Sequence, residues 1–335
     1  MTAKLKTMRA WQAPRYGAFK EVLRLEPNTV RMPEGKHAVM RVKSIGLNYL
    51  DILSIGGGYQ EKDPLPFVPG SEAAGEVVAT TSDAGFQVGD KVMTVGKAAC
   101  AEYMLVQPEA TFLMPDSMPF EAAAAFQLTY QTAHVALVHR ARLKAGEFLL
   151  VHAGAGGVGT AAIQIGRALG ARVVATAGSD EKLKVCRRLG VEAAINYGSE
   201  NFVERVREIT NGRGVQVVFD PVGGSVFEES TRCVTFEGRI IVIGFASGNI
   251  PSIATNRILL KNIDIIGLFW GNYRQFDPQH IKRTQSDLYQ LWNAGQINPV
   301  IYREFAFEDL PVALTALAER KSYGKVIVNG PAADK

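Results

Sequence analysis

The stretch Leu149-Leu150-Val151-His152-Ala153-Gly154-Ala155-Gly156-Gly157-Val158-Gly159 decides the fold. An apolar run of buried-strand character enters a glycine turn of the form G-x-G-x-x-G. A helical pattern over residues 160–169 leaves it, and a second strand is predicted at 172–176. In that order each glycine has its own task. Gly154 permits the tight turn, Gly156 lets the backbone approach a pyrophosphate, and Gly159 lets the helix close on the strand. The phosphates then meet the unspent N–H groups and positive dipole end of the new helix. A glycine turn alone also fits a loop with no ligand; the strand–helix–strand setting favours the dinucleotide.

About 20 residues past the glycines an NAD-binding unit carries Asp or Glu, which holds the ribose 2′-hydroxyl. This chain has Thr176-Ala177-Gly178-Ser179 there. A carboxylate at Ala177 would repel a 2′-phosphate, so its absence favours NADP over NAD. Lys182 and Tyr197 are the candidates to reach that phosphate; their alternatives are a solvated helix lysine and a strand-end aromatic. Asp180 is the nearest rival acid, and its place suits the first turn of the next helix.

Outward from this unit, strands and helices alternate from residue 148 to a last strand of the series at 239–243, as in a parallel sheet covered by helices. Later segments predict a strand at 263–268, helices at 281–294 and 308–320, and a last strand at 325–328. Residues 8–115 read instead as short β runs (38–42, 76–79, 91–95, 103–106) punctuated by Gly, Pro and Asp turns. The expected fold is α/β: a Rossmann doubly wound parallel sheet plus a β-rich domain, with a dinucleotide in the cleft between them. The tail is expected to return to the front domain, because its last strand needs a partner.

Composition agrees. The 335 residues exceed one ordinary core, and 47% hydrophobic with 21% charged residues suits a folded enzyme without disorder. No apolar run is long enough for a membrane span. The net charge of +4 is scattered and gives nucleic-acid binding no support. Cys100, Cys186 and Cys233 form no C-x-x-C, which argues against a disulfide scaffold or a structural zinc and suits a reducing, cytoplasmic setting. Residues before Met8 read as a short leader. His134 and His139, five apart on one predicted helix, make a poor metal pair, and His152 reads as core.

Several further blocks stand in order: Gly46-Leu47-Asn48-Tyr49-Leu50-Asp51, Pro66-Phe67-Val68-Pro69-Gly70-Ser71-Glu72, Asp220-Pro221-Val222-Gly223-Gly224, Gly244-Phe245-Ala246-Ser247 and Ser322-Tyr323-Gly324-Lys325. With them, nearly the whole chain resembles the zinc-free NADPH:quinone oxidoreductase (zeta-crystallin-like) branch of the medium-chain dehydrogenase/reductase superfamily. Within that branch it is similar to the subgroup called quinone oxidoreductase-like protein 2. The resemblance implies a GroES-like catalytic domain from residues 1–130 with 274–335, and a Rossmann NADP-binding domain over 131–273. It also implies a homodimer paired through residues 263–268. Zinc-dependent members carry Cys at the place of Asn48 and His at the place of Ser71. Their four-cysteine loop would fall near 96–101, where only Cys100 stands. No metal is therefore expected.

Residue by residue, the resemblance places Asn48 near the nicotinamide and acceptor and Tyr59 at the mouth of the substrate site, with Asp51 a catalytic or orienting group. A turn residue, a loop cap and a first-turn helix carboxylate are the respective alternatives. It assigns Thr129 to the nicotinamide ribose or phosphate side and the backbone of Ala155, Gly156, Gly157 and Val158 to the pyrophosphate. Gly178, Lys182, Tyr197 and Arg320 go to the 2′-phosphate, and Phe245 and Ser247 to the nicotinamide half. Phe269 and Trp270 bring backbone to the carboxamide. For Arg320 a solvated helix end, and for Phe269 and Trp270 plain packing, are equally open. Quinone-type relatives often carry Tyr where this chain has Leu53. The implied activity is NADPH-dependent hydride transfer to a quinone. The alternatives are reduction of α,β-unsaturated carbonyls (enones or enoyl thioesters) and NADPH binding without turnover.

Overall fold

The computed structural model describes residues 6–30 and 32–331. They divide into two compact units, one ending at Leu128 and resuming at Pro299, the other spanning Thr129–Asn298. The first unit begins with β1 (Lys6–Gln12), α1 (Phe19–Val22) and β2 (Arg24–Val30), then β3 (Ala38–Leu47), α2 (Tyr49–Gly56) and β4 (Glu72–Thr80). β5 (Lys91–Val95), β6 (Tyr103–Val106), β7 (Thr111–Leu113) and α3 (Phe120–Ala124) follow.

After α4 (Gln127–His134), which runs on as a π-helical turn over Val135–Arg140, strands and helices alternate. They are β8 (Phe148–Val151), α5 (Gly157–Ala168), β9 (Arg172–Ala177), α6 (Asp180–Arg188), β10 (Ala193–Asn196), α7 (Phe202–Ile209) and β11 (Val215–Asp220). Then come α8 (Gly224–Cys233), β12 (Val234–Val242), α9 (Thr255–Lys261), β13 (Asp264–Gly267), α10 (Gly271–Phe276) and α11 (Pro278–Asn293). The chain closes in the first unit with β14 (Ile301–Phe305), α12 (Leu310–Ala318) and β15 (Lys325–Asn329).

The second unit's sheet has the order β10-β9-β8-β11-β12-β13 and is parallel throughout. This is the doubly wound arrangement, and its order reverses between β8 and β11, which makes the carboxyl ends there the place for a ligand. β8 is buried along its whole length because helices cover both faces, so it reads as an unbroken apolar run rather than an alternation. Phe148, Leu150, Val174, Val218 and Ile240 pack in one core cluster beside it. The helices stop where their ends are satisfied. The Ser179 side chain accepts from the Lys182 N–H, Asp180 and Glu181 fill the first turn of α6, and Arg187 and Arg188 fill its last.

The first unit holds a seven-stranded sheet, β14-β15-β3-β4-β5-β7, with β6 also on β3. As expected, the tail returns: β15 lies antiparallel to β3, Val326 opposite Leu47. Met40, Val42, Val77, Val92 and Val328 share its core.

Three sequence expectations are corrected. Residues 274–298 belong with the second unit, because α11 packs there: Gln285 bonds Gln131, and Asp287 reaches His134 at 3.6 Å. β12 starts at Val234, well before the predicted 239; Glu237 takes a positive φ of 53° and the pairing with β11 shifts register there. β1 already includes residues before Met8. The remaining leader and the tail from 332 lie outside the described residues. No helix among the described residues is long and apolar enough to cross a membrane.

Candidate functional site

The glycine turn leaves β8 and enters α5. A Cβ on Gly154 would lie 2.9 Å from the Ala175 Cβ, and one on Gly159 would lie 2.3 Å from the Ala153 carbonyl oxygen. Packing alone therefore requires both. Gly156 is different: a Cβ there would meet a single atom, the Ala153 oxygen at 3.2 Å. Gly156 is the N-cap of α5 and offers no side-chain acceptor, and the first turn carries no acid. The leading N–H groups of a twelve-residue helix are thus left for an anion, beside backbone that only glycine keeps bare. Ala155 is buried, and Gly157 and Val158 form the first turn.

At the end of β9, Ala177 lies two residues after Ala175 and so on the same strand face, the one turned to the glycine loop. Tyr197 closes over the next residue: its N–H donates to the Ala177 carbonyl at 3.3 Å, and its hydroxyl would stand 2.8 Å from a Cβ on Gly178. Lys182 is half-buried in the first turn of α6. The structure therefore brings Gly178, Lys182 and Tyr197 to one end of β9. Phe245 and Ser247 gather at the end of β11, where Ser247 N–H donates to the Val222 carbonyl at 2.9 Å and Phe245 packs on Gly223. Asp220 shapes this loop. Its Oδ1 accepts from Val222 N–H at 2.8 Å and Gly223 N–H at 3.0 Å, while its buried Oδ2 has no partner. Burial raises its pKa from the ordinary aspartate value, against the lowering effect of these two hydrogen bonds.

Thr129 is buried on α4. Past β13, Phe269 is exposed and Trp270 is buried, and both carbonyls are taken by local turns, from Asn272 and Tyr273. His152 is core, as expected. Its ring nitrogens bond Thr176 Oγ1 at 2.9 Å and Ser230 Oγ at 2.8 Å, and burial pushes its pKa down to about 3.

In the first unit, Asn48 is the N-cap of α2, and its N–H donates to Asp51 Oδ2 at 2.8 Å. Its side-chain amide is fixed by a fully buried ion pair. The Lys325 ammonium donates to Asn48 Oδ1 at 2.7 Å and to Glu72 Oε2 at 2.8 Å, and Glu72 Oε1 accepts the Leu128 N–H at 2.7 Å. An ammonium only donates, so Oδ1 is the amide atom that faces it. Nδ2 donates to the Gly46 carbonyl at 3.0 Å, to Ser71 Oγ at 3.3 Å and to Glu72 Oε2 at 3.3 Å. Asp51 is buried. Burial pushes its pKa up to about 6 against the lowering effect of the Asn48 N–H, Ser71 and Lys325. Tyr59 lies half-buried just past α2. Arg320 is exposed in left-handed conformation at the end of α12. Sequence reasoning missed the Lys325–Glu72 pair and Ser71, although all three stood in the quoted blocks. Among the described residues, no group of three or more His, Cys, Asp or Glu side chains is placed to hold a metal ion.

The alcohol dehydrogenase GroES-like domain family matches residues 34–117, and the zinc-binding dehydrogenase family matches residues 157–286. The chain is 37% identical to quinone oxidoreductase-like protein 2 of Bos taurus over 324 residues, covering 96% of this chain and 93% of that one. Its fold matches Escherichia coli quinone oxidoreductase complexed with NADPH at a TM-score of 0.89 and 27% identity, covering 97% and 100% of the two chains. The CurK enoyl reductase matches at 0.87 and 27% identity, covering 96% and 99%. With a parallel dinucleotide-type sheet, an antiparallel partner unit and this identity over almost its full length, the chain belongs to the quinone oxidoreductase branch of the medium-chain dehydrogenase/reductase superfamily.

Proposed function

We propose that this chain is an NADPH-dependent, zinc-independent oxidoreductase that delivers hydride to a quinone, its second unit holding the dinucleotide and its first the acceptor. The observation that carries the reading is Gly156, whose bare backbone has a single close neighbour, the Ala153 oxygen, and stands at the uncapped start of α5. The family relationship and the NADPH complex of the Escherichia coli relative support the same cofactor. Ala177 supports NADPH over NADH, since that position offers no carboxylate to a 2′-phosphate and Lys182 and Tyr197 stand beside it.

When bound, the reduced nicotinamide supplies the hydride. The chain's own residues bind, orient and shield. The α5 N-terminus takes the pyrophosphate, with Thr129, Phe245 and Ser247 toward the nicotinamide half and Phe269 and Trp270 beside it. In the first unit, Asn48, Asp51 and Tyr59 border the acceptor. A quinone or enone needs little Lewis-acid help, because hydride leaves a delocalised phenolate or enolate.

Zinc independence is supported by the donor set. Asn48 and Ser71 offer an amide and a hydroxyl in place of thiolate and imidazole. The Lys325 ammonium already occupies Asn48 Oδ1, and its charge opposes a cation at that oxygen. Reduction of α,β-unsaturated carbonyls is the second reading. It is favoured by Leu53, an aliphatic side chain half-buried on α2, and by the match to the CurK enoyl reductase. A homodimer is supported by β13, which is the sheet edge.

The test is metal content with turnover. Chelator-treated protein, assayed for NADPH oxidation with an ortho-quinone, is expected to keep its rate and to contain no stoichiometric zinc. A tightly held zinc in every chain, lost together with activity, overturns the zinc-free reading.

A further inference from the structure

We infer that Asn196 is a specificity-determining residue for the nucleotide: its side-chain amide tethers the Asp180 carboxylate to the end of β10, clear of a 2′-phosphate at Gly178. The inference rests on the NADPH reading above and adds to it a residue that governs NADPH against NADH.

The end of β9 that gathers Gly178, Lys182 and Tyr197 also carries acids. Asp180 and Glu181 fill the first turn of α6, directly after its N-cap Ser179. Negative charge there suits the helix dipole, but it has the wrong sign for a neighbouring phosphate. Asp180 is exposed and stands two residues past Gly178. Left free, its carboxylate would do what an acid at Ala177 does in an NAD-binding unit. It would accept from a ribose 2′-hydroxyl and repel a 2′-phosphate.

Asn196 is built to prevent this. It ends β10 opposite Ala177 in the parallel register. Its backbone is fixed by the turn that follows. The Asn196 N–H donates to Glu200 Oε1 at 3.0 Å, and its carbonyl accepts from Ser199 N–H at 3.1 Å and Glu200 N–H at 2.8 Å. The side chain is fixed as well. Its Oδ1 accepts the Gly198 N–H at 3.0 Å, and an N–H only donates, so turning the amide over would lose that bond. Nδ2 is thereby the atom left for Asp180, and it donates to Asp180 Oδ1 at 3.1 Å. The tether carries no charge of its own, so it holds the acid without competing for the phosphate.

The same turn shapes the other wall of the place. Tyr197 follows Asn196, its N–H donates to the Ala177 carbonyl at 3.3 Å, and its hydroxyl would lie 2.8 Å from a Cβ on Gly178. Residues 196–200 therefore both draw the acid aside and cover the glycine that replaces it at the strand end.

The experiment titrates ligand-free protein with NADPH and with NADH by calorimetry. It uses the native sequence, Asn196→Ser, Asp180→Asn and the double variant. A serine hydroxyl still accepts an N–H two residues on but is too short to reach Asp180, so Asn196→Ser removes the tether and keeps the turn. The native protein should bind NADPH more tightly than NADH. Asn196→Ser should weaken NADPH about fivefold, the effect of one carboxylate close to a phosphate in solvent, and leave NADH equal or tighter. Asp180→Asn should stay within about twofold of native for NADPH, and the double variant within about twofold of Asp180→Asn, because Asn196 matters only while position 180 is charged. Unchanged NADPH affinity in Asn196→Ser overturns the tether. So does an equal loss in the Asp180→Asn background, which would make Asn196 a support of the turn alone. Asp180→Asn that by itself tightens NADPH severalfold shows a carboxylate that was never held aside, and overturns the tether even if Asn196→Ser fails to fold. A native protein that binds NADH as tightly as NADPH overturns the NADPH reading, and the tether falls with it.

Discussion

The Lys325 ammonium donates across 2.7 Å to the side-chain oxygen of Asn48, 277 positions earlier in the chain. It simultaneously neutralises Glu72 at 2.8 Å, and neither partner of that ion pair is open to water. Such a pair adds little net stability, but removing one partner strands a charge. Lys325→Met should therefore lower unfolding stability by about 3–5 kcal/mol. Lys325→Met combined with Glu72→Gln should recover most of that loss, since no unpaired charge remains. Urea unfolding of both variants checks this; a double variant no better than the single one would contradict it.

His152 makes acid stability a second test. Its folded pKa is pushed down to about 3, below the ordinary histidine value of 6.5. As pH falls below 6.5 the unfolded chain binds the proton first. The stability this group contributes is complete above that pH and is lost progressively down to about 3. The slope approaches ~1.4 kcal/mol per pH unit. His152→Gln retains a donor and an acceptor without titrating, so its stability should fall less steeply than that of the native protein between pH 6 and 4. Parallel curves would sink the assignment.

The glycines of the α5 turn should separate by substitution. Gly159→Ala drives a Cβ into the Ala153 carbonyl and should cost about 1–3 kcal/mol in thermal or urea unfolding. A Cβ at Gly156 meets the Ala153 oxygen alone, so Gly156→Val should leave the chain folded while NADPH binding by calorimetry is lost. Normal NADPH affinity in Gly156→Val would mean the fingerprint is misplaced.

Ala177 ends β9 on the face turned to the glycine loop. Ala177→Asp should weaken NADPH by at least about tenfold, because an added carboxylate opposes the 2′-phosphate, and should leave NADH binding equal or tighter. Unchanged preference in a direct titration of both nucleotides would reject the NADPH discrimination.

What was legible in the chain follows its physics. β8, β9 and β11 are covered along most of their length, so β8 appears as an unbroken apolar run and β9 and β11 as mostly apolar ones, and the glycine turn between β8 and α5 marks their order. The start of β12 was hidden because Thr235-Phe236-Glu237-Gly238 looks like a turn, and Glu237 does take a turn conformation within the strand. The side on which α11 packs was not legible. Its amphipathic pattern shows that it has a partner but not which one, and Gln131 and His134 supply it from far away. The Lys325–Glu72 pair spans 253 positions and leaves no local trace. Ser71 was read for the imidazole it lacks; its hydrogen bond from Asn48 becomes visible only once β4 is folded beside α2.

The most direct test of the central claim is NADPH oxidation, followed optically, with an ortho-quinone, a simple enone and no acceptor in parallel. Oxidation of NADPH is expected to be faster with the quinone than with the enone and negligible without an acceptor. Turnover with the enone alone would make the protein a double-bond reductase. Tight NADPH binding without oxidation by either acceptor would contradict the enzymatic account.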